Sequence, residues 1–215
     1  MDKQSFTKAL ALLKKESKKR NFTQTIDLII TLKDLNLKNP DDQVDFFVTV
    51  HNTIGKPQKV CALVGPDLFD EAKKVCDEAI PQNKFEDYKD KKKAKSLAKK
   101  YEYFIAQGSL MKDIAAVFGR TFGPRGKMPN PKVGAVIVAK PQIKPLYERL
   151  QKTVRLSAKK EPVIHVTIGK EDMKEEEITD NAIYIFDQLI HHLPKENNNV
   201  KGVFIKFTMS KPVKV

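Results

Sequence analysis

Cysteine is scarce in this sequence, and its few potential metal ligands form no recognisable pattern. Cys61 and Cys76 belong to no paired Cys-x-x-Cys motif, and the 4 histidines show no zinc-site spacing. The sequence therefore predicts no disulfide framework, no metal site and no cofactor. We expect both cysteines to be reduced packing residues in a cytosolic protein.

Long apolar runs are also missing. No stretch of the sequence approaches the ~18 apolar residues that a membrane-spanning helix needs. Lysines, among them Lys14 and Lys18, interrupt the first segment where a signal peptide would be apolar. We therefore expect a cytoplasmic location and no membrane partner.

Catalytic constellations are absent as well. The sequence has no Ser/His/Asp arrangement near a strained turn and no pair of carboxylates in an apolar context. These absences predict that the protein is not an enzyme.

Acidic residues are too few to balance the basic ones. The chain has 40 Lys and Arg against 27 Asp and Glu, a formal net charge of +13. Such an excess disfavours the compact state unless a polyanion screens it. Nucleic acid is the partner that this charge favours, and an anionic membrane surface is the weaker alternative.

Hydrophobic periodicity divides the 215 residues into two styles of structure. Near both ends, amphipathic helices combine with alternating strands, which is typical of an α+β domain with antiparallel pairing. Between them, short apolar strands alternate with helices, which is typical of a small parallel, doubly wound sheet. We predict a discontinuous α+β domain, residues 1–55 and 153–215, with an α/β domain inserted at residues 56–152. Both domains are basic, the insert more so.

The same patterns predict individual elements. In the outer segments we expect a turn at 39–42, a hairpin connection at 159–162, helices over 4–19 and 178–193, and strands over 24–32, 44–50, 153–157, 163–168 and 200–208. In the insert we expect strands over 59–64, 101–106 and 135–139, and helices over 69–79, 109–118 and 142–150.

The most unusual segment is Gly119–Lys132. Its glycines and prolines predict a loop over residues 119–131, and it presents four cations and no acid: Arg120, Arg125, Lys127 and Lys132. Such a loop suits phosphate oxygens. One alternative is a plain surface loop. The other is the P-loop of a phosphate-handling enzyme that uses the inserted domain, although Thr121 and Met128 replace the glycine and the hydroxyl residue that this motif requires.

Three weaker signals lie elsewhere. The segment Lys84–Lys100 contains 8 lysines, and it is either a solvated face or a site of non-specific phosphate affinity. Thr208 and Ser210 have hydroxyls that can bond to RNA 2′-hydroxyls or phosphates, whereas a frayed C-terminal tail is equally consistent with the sequence. Phe22 follows a basic cluster and is either a core residue or a side chain that stacks on a nucleotide.

Three motifs in this sequence resemble a known family. Gly123–Lys132, GPRGKMPNPK, resembles the highly specific signature loop of the ribosomal protein L1 family. Phe22–Thr25, FTQT, resembles the family's helix-to-strand junction, and Thr208–Ser210, TMS, resembles its terminal Thr-Met-Gly with serine in place of the usual glycine. The likeness covers essentially the whole chain. The intact loop and the lack of a longer N-terminal extension look archaeal.

The resemblance implies a fold, a function and partners. It implies that the insert is Rossmann-like with three layers, and that the first domain grips large-subunit rRNA of the mobile stalk beside the tRNA exit site. The stalk moves with the departing, deacylated tRNA, and many family members repress translation by binding their own mRNA. The implied partners are the ribosome's rRNA, the exit-site tRNA and the protein's own mRNA, with a monomer as the free state. The expected RNA-binding residues are Phe22, Thr25, Lys170, Thr208, Met209, Ser210, Arg125 and Lys127.

Overall fold

The chain divides into two compact units. A computed structural model describes residues 2–39, 42–137 and 143–215. The outer unit consists of Met1–Lys56 and Lys152–Val215, and the inserted unit consists of Pro57–Gln151. The chain thus leaves the outer unit once and returns to it once.

Helices and strands account for most of the described residues. In chain order they are α1 (Lys3–Glu16), β1 (Thr25–Leu32), β2 (Val44–Thr49), β3 (Val60–Val64), α2 (Pro66–Val75), β4 (Glu78–Pro81), α3 (Lys91–Lys100), β5 (Tyr103–Gln107), α4 (Met111–Phe122), β6 (Val136–Ile137), α5 (Ile143–Gln151), β7 (Thr153–Ala158), β8 (Val163–Lys170), α6 (Glu175–His192), β9 (Val200–Phe207) and β10 (Val213–Lys214).

A four-stranded sheet with the order β10-β9-β1-β8 forms the centre of the outer unit. All its neighbouring strands are antiparallel. Ile26, Leu28 and Ile30 of β1 are fully buried, because alternate side chains of a strand point to the same face. Helices α1 and α6 add their apolar stripes to the same core, with Leu10 and Leu189 among the buried residues.

A second sheet in the outer unit pairs β2 with β7. The hairpin predicted at residues 159–162 is therefore wrong, because β7 pairs with β2 whereas β8 pairs with β1. The alternating pattern identifies a strand but not its partner, so the short connection between β7 and β8 does not by itself make these two strands pair.

The inserted unit has a parallel sheet with the order β4-β3-β5-β6. Strand β3 is buried along its whole length, as is typical of a parallel strand whose two faces are both covered. Phe104 of β5 packs on Phe122 of α4, with ring centroids 4.2 Å apart, and Phe122 packs on Phe118. Cys61 and Cys76 are free and buried, and burial, with a contribution from neighbouring Asp77, raises the pKa of the Cys76 thiol to about 11.

Two predicted helices of the inserted unit are wrong in extent. The helix predicted over residues 69–79 ends at Val75, and β4 follows it and pairs with β3. Four residues are too few for a strand period to show in the sequence. The helix predicted to end at Phe118 continues to Phe122, because Ile114, Phe118 and Phe122 recur every four residues and are all buried.

Several predicted ends shift, and some lie outside the described residues. Helix α1 ends at Glu16 instead of Lys19, and Ser17 is already extended. The C-terminal residues form β10 at the edge of the sheet. Residues 40 and 41 of the predicted turn, 138 and 139 of the predicted strand and 142 of the predicted helix lie outside the described residues.

Candidate RNA interface

Two exposed apolar side chains lie at one end of the outer unit's main sheet. Phe22 precedes β1 and is 51% exposed, and Met209 follows β9 and is 60% exposed. Leu12 of α1, at 46%, is the only other exposed large hydrophobic residue in the described part of the chain. The start of β1 and the end of β9 are neighbours, because Ile26 pairs with Phe207. Phe22 is therefore not a core residue.

Hydroxyl groups join these two strand ends. The Oγ1 atoms of Thr25 and Thr208 are 2.8 Å apart, and the Thr25 N–H donates to Thr208 Oγ1 at 3.2 Å. The Thr208 N–H donates to the Thr25 carbonyl at 3.1 Å. Thr208 is nevertheless exposed. Its hydroxyl is thus held in place by the sheet within an exposed residue, where it can exchange hydrogen bonds with an RNA 2′-hydroxyl.

Ser210 closes a tight turn after β9. Its N–H donates to the Phe207 carbonyl at 3.2 Å, and its Oγ accepts from the Phe207 N–H at 2.9 Å. The same hydroxyl donates to the Lys211 carbonyl at 3.0 Å. The serine side chain is folded back onto its own backbone. The turn therefore presents Thr208 and Met209 to solvent.

Gln24 is a positioning residue that sequence reasoning missed. It is 1% exposed, and its Oε1 accepts from the Met209 N–H at 3.2 Å. Its backbone carbonyl accepts from the Glu171 N–H at 3.0 Å. One residue thus ties the turn after β9 and the end of β8 to the segment before β1. The only signal in the sequence was its place inside the FTQT motif.

Lys170 reaches the same end of the sheet from β8. It pairs with Thr25 across the β1–β8 ladder. Its side chain packs over Gly55, which has a φ of +77°. A Cβ added to Gly55 would lie 3.1 Å from Lys170 Cγ and 2.9 Å from Met173 Sδ. Glycine adopts this φ without strain and lets the lysine stem lie close to the backbone. We call six residues the strand-end cluster: Phe22, Thr25, Lys170, Thr208, Met209 and Ser210.

Basic residues precede and follow the strand-end cluster in the sequence. Exposed Lys18, Lys19 and Arg20 precede it, and Lys211 follows it. Carboxylates are present too: Glu171 and Asp172 come directly after Lys170, and Asp27 accepts a hydrogen bond from Thr167 at 2.8 Å. The cluster therefore offers stacking, apolar contact and hydroxyl groups at its centre, with cations at its margins for phosphates.

The segment Gly119–Lys132 lies in the inserted unit and differs from its prediction. Residues 119–122 form the last turn of α4, with Thr121 and Phe122 buried, so the expected loop begins at Gly123. The Arg125 and Lys127 N–H groups both donate to the Phe122 carbonyl. Residues 123–127 thus form turns that are hydrogen-bonded to the end of α4.

The two predicted RNA-binding cations of this segment both bond to their own unit. Lys127 Nζ donates to the Tyr101 carbonyl at 2.9 Å and pairs with Glu102 at 3.2 Å, and its side chain is 18% exposed. Arg125 is exposed, with Nη1 donating to the Thr121 carbonyl at 3.3 Å. The structure therefore places six of the predicted site residues together in the outer unit and these two in the inserted unit.

The carboxyl ends of β3 and β5 are where a doubly wound sheet usually binds a ligand, since the strand order reverses there. The Gly65 N–H donates to Gln107 Oε1 at 2.9 Å, and a Cβ added to Gly65 would lie 2.9 Å from that same atom. The Gln107 side chain thus spans the gap between the two strand ends. The Gly65 N–H, a backbone donor at the end of β3, is therefore already bonded to a side chain of the same unit.

Neither a membrane span nor a metal-binding group is found among the described residues. No helix in residues 2–39, 42–137 and 143–215 is long and apolar enough to cross a membrane. Over the same ranges, no three His, Cys, Asp or Glu side chains are grouped in a way that could hold a metal ion.

Known proteins similar to this one match it over essentially its whole length. The ribosomal protein L1p/L10e family matches residues 13–211. The large ribosomal subunit protein uL1 of Thermococcus kodakarensis is 37% identical over 218 residues, which cover 100% of this chain and 98% of the relative. The uL1 proteins of Methanothermococcus thermolithotrophicus (35%; 100% of this chain and 99% of the relative) and Nanoarchaeum equitans (37%; 94% and 95%) are similar over comparable spans. The chain therefore belongs to the ribosomal protein L1p/L10e family.

Proposed function

We propose that this protein is a component of the large ribosomal subunit and binds rRNA through the strand-end cluster. The observation that carries the proposal is the pair of exposed apolar side chains, Phe22 and Met209, beside the bonded hydroxyls of Thr25 and Thr208. Exposed large apolar groups are unfavourable in water unless a partner covers them. The match to a ribosomal protein family and to large-subunit proteins supports ribosomal RNA as that partner.

Each part of the cluster has a distinct role in the proposed complex. Phe22 stacks on an unpaired base, since aromatic rings bind bases with little sequence preference. Thr208 exchanges hydrogen bonds with a 2′-hydroxyl, which distinguishes RNA from DNA. Met209 packs against a sugar or base, and Lys170 faces a phosphate. Gln24 contacts no RNA and holds the Met209 backbone in place.

The finer role follows from the resemblance to the family. We infer that the bound rRNA belongs to the mobile stalk beside the tRNA exit site, and that the protein assists release of deacylated tRNA from the cytoplasmic ribosome. An mRNA segment that folds like the rRNA site would bind to the same cluster. We therefore also propose that the protein represses translation of its own mRNA. We expect the free protein to be a monomer.

We also propose a division of labour between the two domains. In this proposal residues 1–55 and 153–215 form the rRNA-binding domain, and residues 56–152 form a Rossmann-like, three-layer insert. The parallel order β4-β3-β5-β6 supports the insert's assignment, and the position of the strand-end cluster supports that of the outer domain. We do not propose a phosphate-handling enzyme, because the Gly65 N–H at the end of β3 is bonded to Gln107 and the matching family is ribosomal.

Substitution of the exposed apolar residues tests the proposal. Phe22→Ala and Met209→Ala should each change the free energy of unfolding by less than about 0.5 kcal/mol, because the side chains are largely exposed. Each should weaken binding to a stalk rRNA fragment, Phe22→Ala by about 1–3 kcal/mol, the range for lost base stacking. Leu12→Ala, which also removes an exposed apolar side chain, is the matched control and should bind like the wild type.

Titration of the rRNA fragment and urea unfolding provide the two readouts. If Phe22→Ala, Met209→Ala and Leu12→Ala all bind with wild-type affinity, the strand-end cluster is not the rRNA site. Co-sedimentation of the protein with large subunits from its own cells tests the assignment to the ribosome separately.

A further inference from the structure

The lysine-rich segment of the inserted unit encloses a groove. Residues 82–89 form a 3₁₀ helix that runs into α3. Side chains from these two helices line an open groove of about 490 Å³, together with Glu78 from β4. The groove lies wholly within the inserted unit, so it is separate from the strand-end cluster of the outer unit.

Donor groups without partners line the two walls of the groove. Lys93 and Ser96 lie on α3 at positions three apart, which places both on one side of the helix. Lys84 and Tyr88 face the groove from the 3₁₀ helix. Among the described residues, the side chains of Lys84, Lys93 and Ser96 have no hydrogen bond or ion pair. These three groups are therefore available to a ligand.

The Tyr88 ring is fixed while its hydroxyl borders the groove. The ring contacts Phe118 of α4, with centroids 5.7 Å apart, in a tilted arrangement. Burial raises the pKa of the Tyr88 phenol, with contributions from neighbouring acids. A tyrosine phenol is protonated at neutral pH in any case and can donate a hydrogen bond. Tyr88 thus adds an anchored donor to the flexible lysines.

The carboxylates of the groove leave an excess of positive charge. Glu78 pairs with Lys100 at 3.0 Å and accepts from the Tyr101 hydroxyl. Burial opposes ionisation of Glu78, but these hydrogen bonds outweigh it and lower the pKa of the carboxyl. Glu78 and Lys100 therefore neutralise each other. Asp87 is the other acid of the lining, so the groove has one remaining carboxylate and two remaining lysines, Lys84 and Lys93.

We propose that this groove binds the phosphodiester backbone of an RNA, as a second contact that goes beyond the proposed rRNA site in the outer unit. Lys84 and Lys93 are the groove lysines that have no partner among the described residues, and each can pair with one phosphate. The neighbouring lysines Lys92, Lys95 and Lys99 of α3 are exposed but lie outside the groove lining. Lysines bind phosphates as point charges and need no particular base.

Lysine reactivity on the intact protein tests the groove directly. The side chains would be acetylated with and without poly(U), an RNA without defined structure, and the modification rate at each lysine read by mass spectrometry. We expect poly(U) to slow acetylation of Lys84 and Lys93 several-fold more than that of Lys92 and Lys95, which are exposed but lie outside the groove lining. Equal protection of all four lysines would overturn the proposal.

Two other anions decide the chemical class of the ligand. Millimolar inorganic phosphate tests for a small-anion site, and polyglutamate tests for an acidic protein partner. Neither should reproduce the protection of Lys84 and Lys93 that poly(U) gives. If inorganic phosphate or polyglutamate protects these lysines as well as poly(U) does, the groove is not an RNA-backbone site.

A pair of matched variants provides the second test. Lys84→Gln with Lys93→Gln, and Lys92→Gln with Lys95→Gln, each remove two positive charges. For poly(U), the log–log salt slope should flatten by about 1.4 in the groove variant, at roughly 0.7 per phosphate contact, and by clearly less in the control. Equal slopes would contradict the proposal. Phe22→Ala leaves these lysines unchanged, so failure of the groove and failure of the strand-end cluster are distinguishable.

Discussion

The strand-end cluster and the segment Gly119–Lys132 were both predicted to face RNA, and they differ in what their side chains already do. More than half of the surface of Phe22 and of Met209 is exposed. Lys127 is largely buried and donates to Tyr101 and Glu102. The residue types of both regions suit RNA. The strand-end cluster presents exposed side chains, whereas the segment Gly119–Lys132 uses Lys127 to bond to its own unit.

A basic, glycine-rich segment does not by itself show that its cations are free to bind phosphate. Glycines and prolines near cations favour phosphate binding in a sequence, but the same residues permit the tight turns that aim a lysine back at a carbonyl. The number of cations is therefore less informative than the number of donors left without a partner. The comparison can be tested by substitutions that affect one region and spare the other.

Thr208→Val should have the largest effect on RNA binding. It removes the hydroxyl that Thr25 contacts within this exposed residue, so binding to the rRNA fragment should weaken by about 1–3 kcal/mol, the range for an unsatisfied polar partner. Discrimination against a scrambled hairpin should decrease as well. Thr208→Ser keeps the hydroxyl and is the control. If Thr208→Val binds both RNAs with wild-type affinity, the Thr208 hydroxyl does not contact RNA and the side chain serves only in packing.

Lys127→Met should act on stability and not on specific RNA binding. The methionine cannot donate to the Tyr101 carbonyl, so the free energy of unfolding should fall by about 1–2 kcal/mol. Lys132→Met removes the same charge from an exposed position of the same segment and should leave stability nearly unchanged. Urea unfolding of the two variants measures the difference. If Lys127→Met is as stable as Lys132→Met but binds rRNA more weakly, Lys127 belongs to the RNA interface instead.

Acid should weaken the inserted unit through Glu78. Burial opposes its ionisation, but hydrogen bonds from Tyr101 and Lys100 lower the pKa of its carboxyl below the usual 4.5. Its contribution to stability is therefore complete above about pH 4.5 and is lost as pH falls through the lowered value. Wild type should be more stable than Glu78→Gln at pH 7, and the difference should disappear once the pH is below the lowered pKa of Glu78. A difference that stays constant across this range would exclude the ion pair as its cause.

Ser210→Gly should have the smallest effect. The serine side chain bonds to its own backbone, at the Phe207 N–H and the Lys211 carbonyl, and so leaves the outward face of the turn to Thr208 and Met209. Restoring the family's usual glycine should change rRNA affinity by less than about 0.5 kcal/mol. A gain of affinity well beyond that value would show that the serine hinders approach of the RNA backbone.

The sequence by itself determined the features that depend on local pattern. Alternating apolar residues over 26–32 fixed β1 and its buried face, and the apolar stripe from Ile178 to Leu193 fixed α6. These signals are strong because each residue of a long element repeats the same preference for one face. The loop and junction motifs were sufficient to indicate the family. The excess of basic residues was sufficient to indicate a polyanionic partner, because net charge depends on composition and not on the fold.

Only the tertiary structure decided which groups remain available for binding. Thr25 and Thr208, at 2.8 Å, are 183 residues apart in the sequence, and Lys127 and the Tyr101 carbonyl are 26 apart. The pairing of β7 with β2, the short strand β4 and the role of Gln24 depend on contacts of the same kind. No local pattern encodes them, because a hydrogen bond depends on where two distant segments meet and not on the residues beside either one. Whether a lysine faces solvent or a carbonyl is settled only when the chain has folded.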